Sequence, residues 1–341
     1  MTDKKTRSEK NLILLQEQLG GEVHHQNGIY SLQFSNGNGK GIIRCISFNK
    51  FMTSMEFDFI LNNKTTLSIG SSERNMIYFF YTLQGKCAHQ FDVENEPVVI
   101  DELRTSVACS RKQVVSQLVI EKGIQLTFSI IGINRSRYEG KFTDDFYGQS
   151  KQLRKLFKKL YEREESFHLG KLNLRIGEYV KSLDNNRYIH DLPTFLHYEG
   201  TSNLILAAQI EQFWREIKDM RNVSSLTKSE LKSVKKAIDL VKKHPERPHS
   251  VTNLCEQAGL SPAKLQEGFK AIYGRTVSDF IRNTRLEVSE RLIRTTDLNI
   301  SQVVYSIGFT SRSYFCKIFK RKFGCSPKEY KVQAVVVPDE F

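Results

Sequence analysis

Between Ser306 and Pro327 the chain reads SIGFTSRSYFCKIFKRKFGCSP, a turn glycine followed by a run that makes up four phenylalanines and five Lys or Arg in the whole stretch. In helical register Phe315, Phe319 and Phe323 recur every four residues and share one face, while Arg312, Lys317, Lys320 and Arg321 lie mostly off it. One side is built to pack and the other is cationic. A single stretch of this kind is read most simply as a solvated amphipathic helix.

A second copy changes that reading. About fifty residues upstream stands QAGLSPAKLQEGFKAIYG, Gln257 to Gly274. Gly259 matches Gly308, Leu265 matches Phe315, Phe269 and Lys270 match Phe319 and Lys320, and Gly274 matches Gly324, with one extra residue after the second turn. Each copy is preceded by an apolar helical pattern: Val251, Leu254 and Ala258 in one, Ile300, Val303 and Ile307 in the other. Helix, tight glycine turn and second helix form the helix-turn-helix plan, whose second helix enters the DNA major groove.

Charge points the same way. The net charge is +13, and from Lys228 to Lys331 there are 21 Lys+Arg against 10 Asp+Glu, leaving 30 against 28 for the rest of the chain. The cationic excess therefore coincides with the paired turns, as phosphate binding requires. The six cysteines, Cys45, Cys87, Cys109, Cys255, Cys316 and Cys325, include no close pair of zinc-ligand spacing and are expected as reduced packing residues. The longest early apolar run, Leu12 to Leu15, is far too short for a signal peptide or a membrane span, so a cytoplasmic protein with no membrane association is expected.

A chain of 341 residues predicts two or three domains. Met1 to Lys10 reads as a polar, mobile tail. From Gly28 to about Asn134 the period is two: Met55, Phe57 and Phe59 alternate with Glu56 and Asp58, and Ile124, Leu126, Phe128 and Ile130 with polar partners, which predicts strands with one wet face. SNGNGKG at Ser35 to Gly41 predicts a hairpin turn. Runs at Met76 to Leu83 and Val114 to Ile120 add strands of a sandwich or barrel. The period then becomes helical, with stripes at Leu153, Leu156, Phe157, Leu160 and Tyr161 and at Leu204, Ala207, Ala208, Ile210, Phe213, Trp214 and Ile217. Lys151, Arg154, Lys155, Lys158 and Lys159 read as a solvated face. A polar segment from Arg221 to Glu230 marks a linker. Leu231, Val234, Ile238 and Val241 then predict a helix ended by HPERP, and Val277 to Arg294 one connecting helix with Ile281, Val288 and Leu292 inward.

From Leu231 to Lys331 this layout resembles the DNA-binding domain of the AraC/XylS family of bacterial transcription regulators. LCEQAGLSPAKLQEGFK, the connecting TRLEVSERLI with Arg285 and Leu286, and GFTSRSYFCKIFKRKFGCSPKEY carry the resemblance. Ser289, where the family has mostly alanine, and Glu267, where arginine or another donor is frequent, depart from it. The resemblance implies a first recognition helix from Ser261 to about Tyr273, with Leu265, Phe269 and Ile272 inward. Ala263, Gln266 and Glu267 would then face bases and Lys270 phosphate. Arg312, Ser313, Cys316 and Lys317 of the second helix would face bases, with Lys320 and Arg321 nearer the backbone. Gln266 suits adenine, Glu267 the cytosine amino group, Arg312 and Lys317 guanine, and Cys316 an apolar contact. The family also implies a cupin-like β domain that binds an effector, followed by helices that dimerise. The stretch RYIHDLPTFLHYEGTSNLILAAQIEQFW resembles members that sense ferric siderophores.

The expected fold class is α+β multidomain: an N-terminal cupin-like β-sandwich or barrel with following helices, and an all-α C-terminal domain with two helix-turn-helix motifs joined by a helix. The expected segments are a tail and lead-in at 1–27, a sensor domain at 28–142, a helical dimerisation and coupling region at 143–221, a linker at 222–229, the DNA-binding domain at 230–332 and a tail at 333–341. Expected partners are promoter DNA, RNA polymerase, a small-molecule or siderophore-like effector and a second copy of the chain. The expected function is transcription regulation, as an activator rather than an enzyme. Three alternatives compete with it, of which an architectural DNA-binding protein would leave a β domain of this size unexplained. A metal-dependent cupin enzyme needs clustered histidines, but His24 and His25 point to opposite strand faces and His89 stands alone. A DNA-repair alkyl transferase needs clustered cysteines for zinc and a reactive thiolate, which the cysteine spacing does not supply. No cofactor or metal is expected.

Overall fold

The computed structural model describes residues 7–26, 28–48, 51–69, 75–91, 96–110, 115–140, 149–160, 165–184, 191–217 and 226–335. The chain divides into two compact units, Met1–Asn222 and Val223–Phe341.

The first unit is β-rich. Helix α1 (Arg7–Leu19) leads into strands β1 (Glu22–Gln26), β2 (Ile29–Asn36), β3 (Gly39–Phe48), β4 (Met52–Leu61), β5 (Thr65–Ile69), β6 (Met76–Gln84), β7 (Cys87–Gln90), β8 (Val98–Ile100), β9 (Arg104–Ser110), β10 (Ser116–Ile120) and β11 (Gln125–Asn134). Helices α2 (Arg135–Gly140) and α3 (Gln149–Leu160), strand β12 (Glu165–Leu172) and helices α4 (Leu174–Asp184) and α5 (Asp191–Ile217) complete it. Eight strands form one sheet in the order β1-β2-β3-β4-β11-β6-β9-β12, and β5-β10-β7-β8 form a second. As expected, Gly37 and Asn38 make the two-residue turn between β2 and β3, whose register ends on Asn36 opposite Gly39.

One core includes Leu12 and Leu15 of α1, Phe57 and Phe128 of the large sheet, and Leu67, Ile100 and Leu118 of the small sheet. A second covers the other face of the large sheet, where Ile77, Phe79 and Tyr81 of β6 meet Phe157, Ile176, Leu206 and Phe213 of the helices. This second core corrects the expectation of one wet face per strand. Strand β6 is buried on both faces over Met76 to Leu83, and β11 alternates only until Phe128. An amphipathic pattern fades where helices cover the outer face of a sheet.

Three other readings are revised. Arg7 to Lys10, expected in a mobile tail, open α1, and Ser8 is buried with its Oγ 2.6 Å from Ser47 Oγ. The segment expected to be wholly helical contains β12, which pairs with β9 through a register shift between Leu169 and Leu172. At Gly170 a Cβ would stand 2.2 Å from Thr105 Oγ1, so only glycine permits that approach. The stripe predicted on α5 is rotated: Ile205, Leu206, Gln209, Gln212 and Phe213 are buried, whereas Leu204 is 53% exposed. Gln209 is held there by its Nε2, which donates to Phe80 O at 2.8 Å. The side chains of Lys151, Leu153, Arg154 and Tyr161 lie outside the described residues, as do Arg221 to Ser225 of the expected linker and the chain beyond Val335.

The second unit is helical: α6 (Lys228–Lys243), α7 (Val251–Ala258), α8 (Pro262–Tyr273), α9 (Val277–Thr295), α10 (Ile300–Ser306), α11 (Arg312–Phe323) and α12 (Pro327–Val335). The four predicted inward residues of α6 are buried, as are Leu265, Phe269 and Ile272 of α8. On α9 the inward face is Phe280, Ile281, Leu286, Ser289 and Ile293; Val288 and Leu292 are only half-buried, because this helix serves two neighbouring cores rather than one stripe.

Candidate nucleic-acid interface

The repetition seen in the sequence is reproduced bond by bond. Helices α8 and α11 are each 12 residues long, each capped by a serine, Ser261 or Ser311, whose Oγ accepts a backbone N–H three residues on. Each ends in a left-handed glycine, Gly274 at φ 66° and Gly324 at φ 82°. The turns before them also match. Leu260 N donates to Cys255 O and Phe309 N to Val304 O, both at 3.1 Å. The shared plan extends past the motifs, since Thr227, Thr276 and Ser326 each cap a helix with an acidic residue three positions later. That spacing is legible in the sequence itself.

Helix α9 is common to both pairs. At its start Phe280 packs against Phe269 of α8, ring centroids 5.2 Å apart. Towards its end Leu286 and Ile293 join Val303, Phe315 and Phe319 in one core. Buried Ser289 sits in that core with its Oγ donating to Leu286 O at 2.7 Å, so the departure from alanine costs no unpaired hydroxyl. Arg285 pins the assembly. Its Nε donates to Pro245 O at 2.7 Å, Nη1 to Gly308 O at 2.8 Å and Nη2 to Arg247 O at 2.7 Å, with the guanidinium 5.6 Å from the Phe309 ring centroid. Partial burial lowers its pKa, and Glu246 nearby opposes that shift. Gly308, at φ 78°, could carry no side chain, because a Cβ would lie 2.3 Å from Glu246 O.

On α11, Arg312, Ser313, Lys317, Lys320 and Arg321 are exposed and Cys316 is half-buried against the core. On α8, Ala263 and Lys270 are exposed while Gln266 and Glu267 are half-buried. Other cations are tied down internally: Lys264 pairs with Glu230, Lys322 with Glu287 at 2.9 Å, and Arg294 with Glu290 at 3.3 Å. Among the described residues Arg312, Lys317, Lys320, Arg321 and Lys270 have no carboxylate in ion-pair contact, which leaves an unneutralised cationic face on α11. Gln266 differs from its expected role, since its Oε1 accepts the Val277 N–H at 3.1 Å. In this conformation the acceptor half of an amide–adenine pair is spent on starting α9. Tyr314, 46% exposed, carries no signal in the sequence, because an aromatic in a core-bearing helix reads as packing.

The competing sites can be placed as well. His24 and His25 lie on the exposed strand β1. His89 is buried among Phe80, Phe91 and Phe167, and burial pushes its pKa down to about 3. Burial pushes the Cys87 thiol up to about 12, the reverse of a reactive thiolate. Among the described residues no three His, Cys, Asp or Glu side chains are grouped to hold a metal ion, and no helix is long and apolar enough to cross a membrane.

Twin capped helices, held by one connecting helix and carrying a cationic face, define a helical DNA-binding unit. Residues 254–333 match the family described as a helix-turn-helix domain. The HTH-type transcriptional regulator AlkR of Acinetobacter baylyi is 26% identical over 162 residues, which cover 47% of this chain and 51% of AlkR. Regulatory protein SoxS of Escherichia coli K12 is 27% identical over 103 residues, 30% of this chain and 96% of SoxS. A solved transcriptional regulator of AraC type from Chromobacterium violaceum is 23% identical, with a TM-score of 0.30, covering 33% of this chain and all of that one. The chain thus spans only about half the length of AlkR. The C-terminal segment is similar to a helix-turn-helix domain family and to the transcription regulators AlkR and SoxS.

Proposed function

We propose that the chain is a sequence-specific transcriptional activator. In this reading α7–α8 and α10–α11 are two helix-turn-helix modules that read adjacent major-groove segments of a promoter and work with RNA polymerase. The exposed, unpaired cations of α11 on a scaffold duplicated in α8 are the observation that carries it. A 19-residue connecting helix, about 28 Å long at 1.5 Å per residue, suits modules set roughly one DNA turn apart. Base contacts are assigned to Ala263, Glu267, Arg312, Ser313, Cys316 and Lys317, with Gln266 contributing through its NH2 group. Lys270, Lys320 and Arg321 are assigned to phosphates.

The cupin-like β-rich unit, residues 28–142, is read as the sensor for a small molecule or chelate, and 143–221 as the region of coupling and dimerisation. The segment expected at 222–229 is read as the linker as far as Thr227, since α6 of the DNA-binding domain already opens at Lys228. A ligand regulates only through unequal affinity for the active and inactive states. Selection of the full chain on a randomised duplex library at several salt concentrations tests the central reading. The expected result is a site of two unlike half-sites about 10 base pairs apart, with affinity falling steeply as salt rises. Enrichment of no sequence, or binding indifferent to salt, refutes it.

A further inference from the structure

A cavity of about 280 Å³ opens in the C-terminal unit between the first half of α9 and the turn preceding α11. Its walls include Ser278, Arg282 and Arg285 of α9, His249 from the segment before α7, and Ser311 and Tyr314 from the start of α11. No acidic residue lines it. The cleft opens to solvent and is roomy enough to admit a tetrahedral anion.

Three of the polar groups around it, Arg282, Arg285 and Ser311, are donors with capacity to spare. Arg282 spends one contact, Nη2 to Asp279 Oδ1 at 2.8 Å, and its other guanidinium nitrogens hold no partner among the described residues. Arg285 has its charge met by three carbonyl dipoles and by no carboxylate in ion-pair contact. Ser311 Oγ accepts the Tyr314 N–H at 3.2 Å, which leaves its own O–H to donate outward. His249 Nε2 lies 2.7 Å from His244 O; a carbonyl only accepts, so Nε2 carries its proton and the ring is held in place.

We propose that this cavity seats one DNA backbone phosphate, lying between the segment met by α8 and the segment met by α11. Arg282 is its principal donor, Ser278 and Ser311 add hydrogen bonds, and Arg285 supplies charge from behind. The walls come from α9, which is common to both modules, from His249 ahead of α7 and from the head of α11, so a phosphate held there fixes both modules to one strand and sets their register. Such a contact positions the protein without reading sequence. The cavity lies immediately beside exposed Arg312, past which a bound duplex must run. The proposal rests on the DNA-binding reading above.

The test uses the full chain and the duplex it selects. Arg282→Gln should lower affinity about ten-fold, equally for every sequence, and reduce the logarithmic salt slope by about 0.9, with an unchanged unfolding midpoint. Arg282→Lys should recover most of the loss. Ser278→Asp, a carboxylate placed where a helix N-terminus tolerates it, should weaken binding in the same sequence-independent way. A neutral methylphosphonate is then moved one position at a time along the backbone between the half-sites. One position should weaken the wild-type chain and add nothing to the Arg282→Gln chain. Equal penalties for both chains at every position overturn the proposal, as does unaltered binding by Arg282→Gln. Competition by millimolar inorganic phosphate at constant ionic strength, without a coupled backbone position, makes the cavity a free-anion site and also overturns it. A wild-type chain that selects no duplex removes the DNA-binding reading itself; a wild-type chain that binds normally while Arg282→Gln binds equally well removes only the phosphate seat.

Discussion

Ser261 and Ser311 start the same 12-residue helix in the same way, yet at the matched positions Glu267 and Lys317 the two helices carry opposite charges. Lys264 turns back to Glu230 and Gln266 to the Val277 N–H, so α8 commits part of its polar surface to folding. Helix α11 commits less: Lys322 is tied to Glu287, while Arg312, Lys317, Lys320 and Arg321 make no ion-pair contact among the described residues, although the charge of Lys320 is felt by Glu329. The lesson is that the buried skeleton and the caps are what the two copies share, because both must satisfy the same packing and backbone hydrogen bonds. Their solvent faces are free of that constraint and have diverged into a mixed surface and a cationic one.

The shared skeleton is the easiest part of this comparison to break. Phe319→Ala and Phe269→Ala, both at fully buried positions, should each cost about 3–5 kcal/mol in urea unfolding. If one is tolerated at below about 1 kcal/mol, the two cores are not equivalent. The turns should differ more. Gly308→Ala brings a Cβ against Glu246 O and should cost about 3 kcal/mol. Gly259→Ala meets open space, and only its left-handed φ of 62° resists, at about 1–2 kcal/mol. Equal costs would mean that the contact at Gly308 does not constrain the second turn.

The solvent faces should separate in DNA binding. Lys317→Ala should lose about 1–3 kcal/mol and relax preference at one end of the selected site only. Lys320→Ala and Lys270→Ala should each weaken all sequences alike and reduce the salt slope by about 0.9. Relaxed preference at both ends from Lys317→Ala, with the fold intact, would show that α8 and α11 do not read separate grooves. The smallest effect is expected at Gln266, where alanine removes the acceptor for Val277 N–H and should destabilise the unit by about 0.5–1.5 kcal/mol in the absence of DNA. An unchanged unfolding midpoint would return Gln266 to a purely DNA-facing role.

Features carried by neighbours along the chain were legible in the sequence itself: the glycine turns at 259 and 308, the four-residue recurrence of Phe315, Phe319 and Phe323, the Gly37–Asn38 hairpin, and the basic skew of the C-terminal segment. Helical period, turn chemistry and charge are local or additive quantities, so a string of residues displays them directly. The tertiary structure decided what depends on partners far away. Gln209 on α5 reaches Phe80 O across 129 residues, which turns a polar residue inward and rotates the predicted stripe. Strand β12 was hidden among helical patterns because its partner, β9, lies elsewhere in the chain. Arg285 was named as part of the connecting helix, but its hold on Pro245, 40 residues back, and Gly308, 23 residues ahead, appears only once those carbonyls converge. The internal pairing of Lys264 and Gln266, against the open charges of Lys317 and Lys320, was decided in the same way. Each residue type specifies which bonds a side chain can make, and only the packed chain determines whether a protein group or an outside partner receives them.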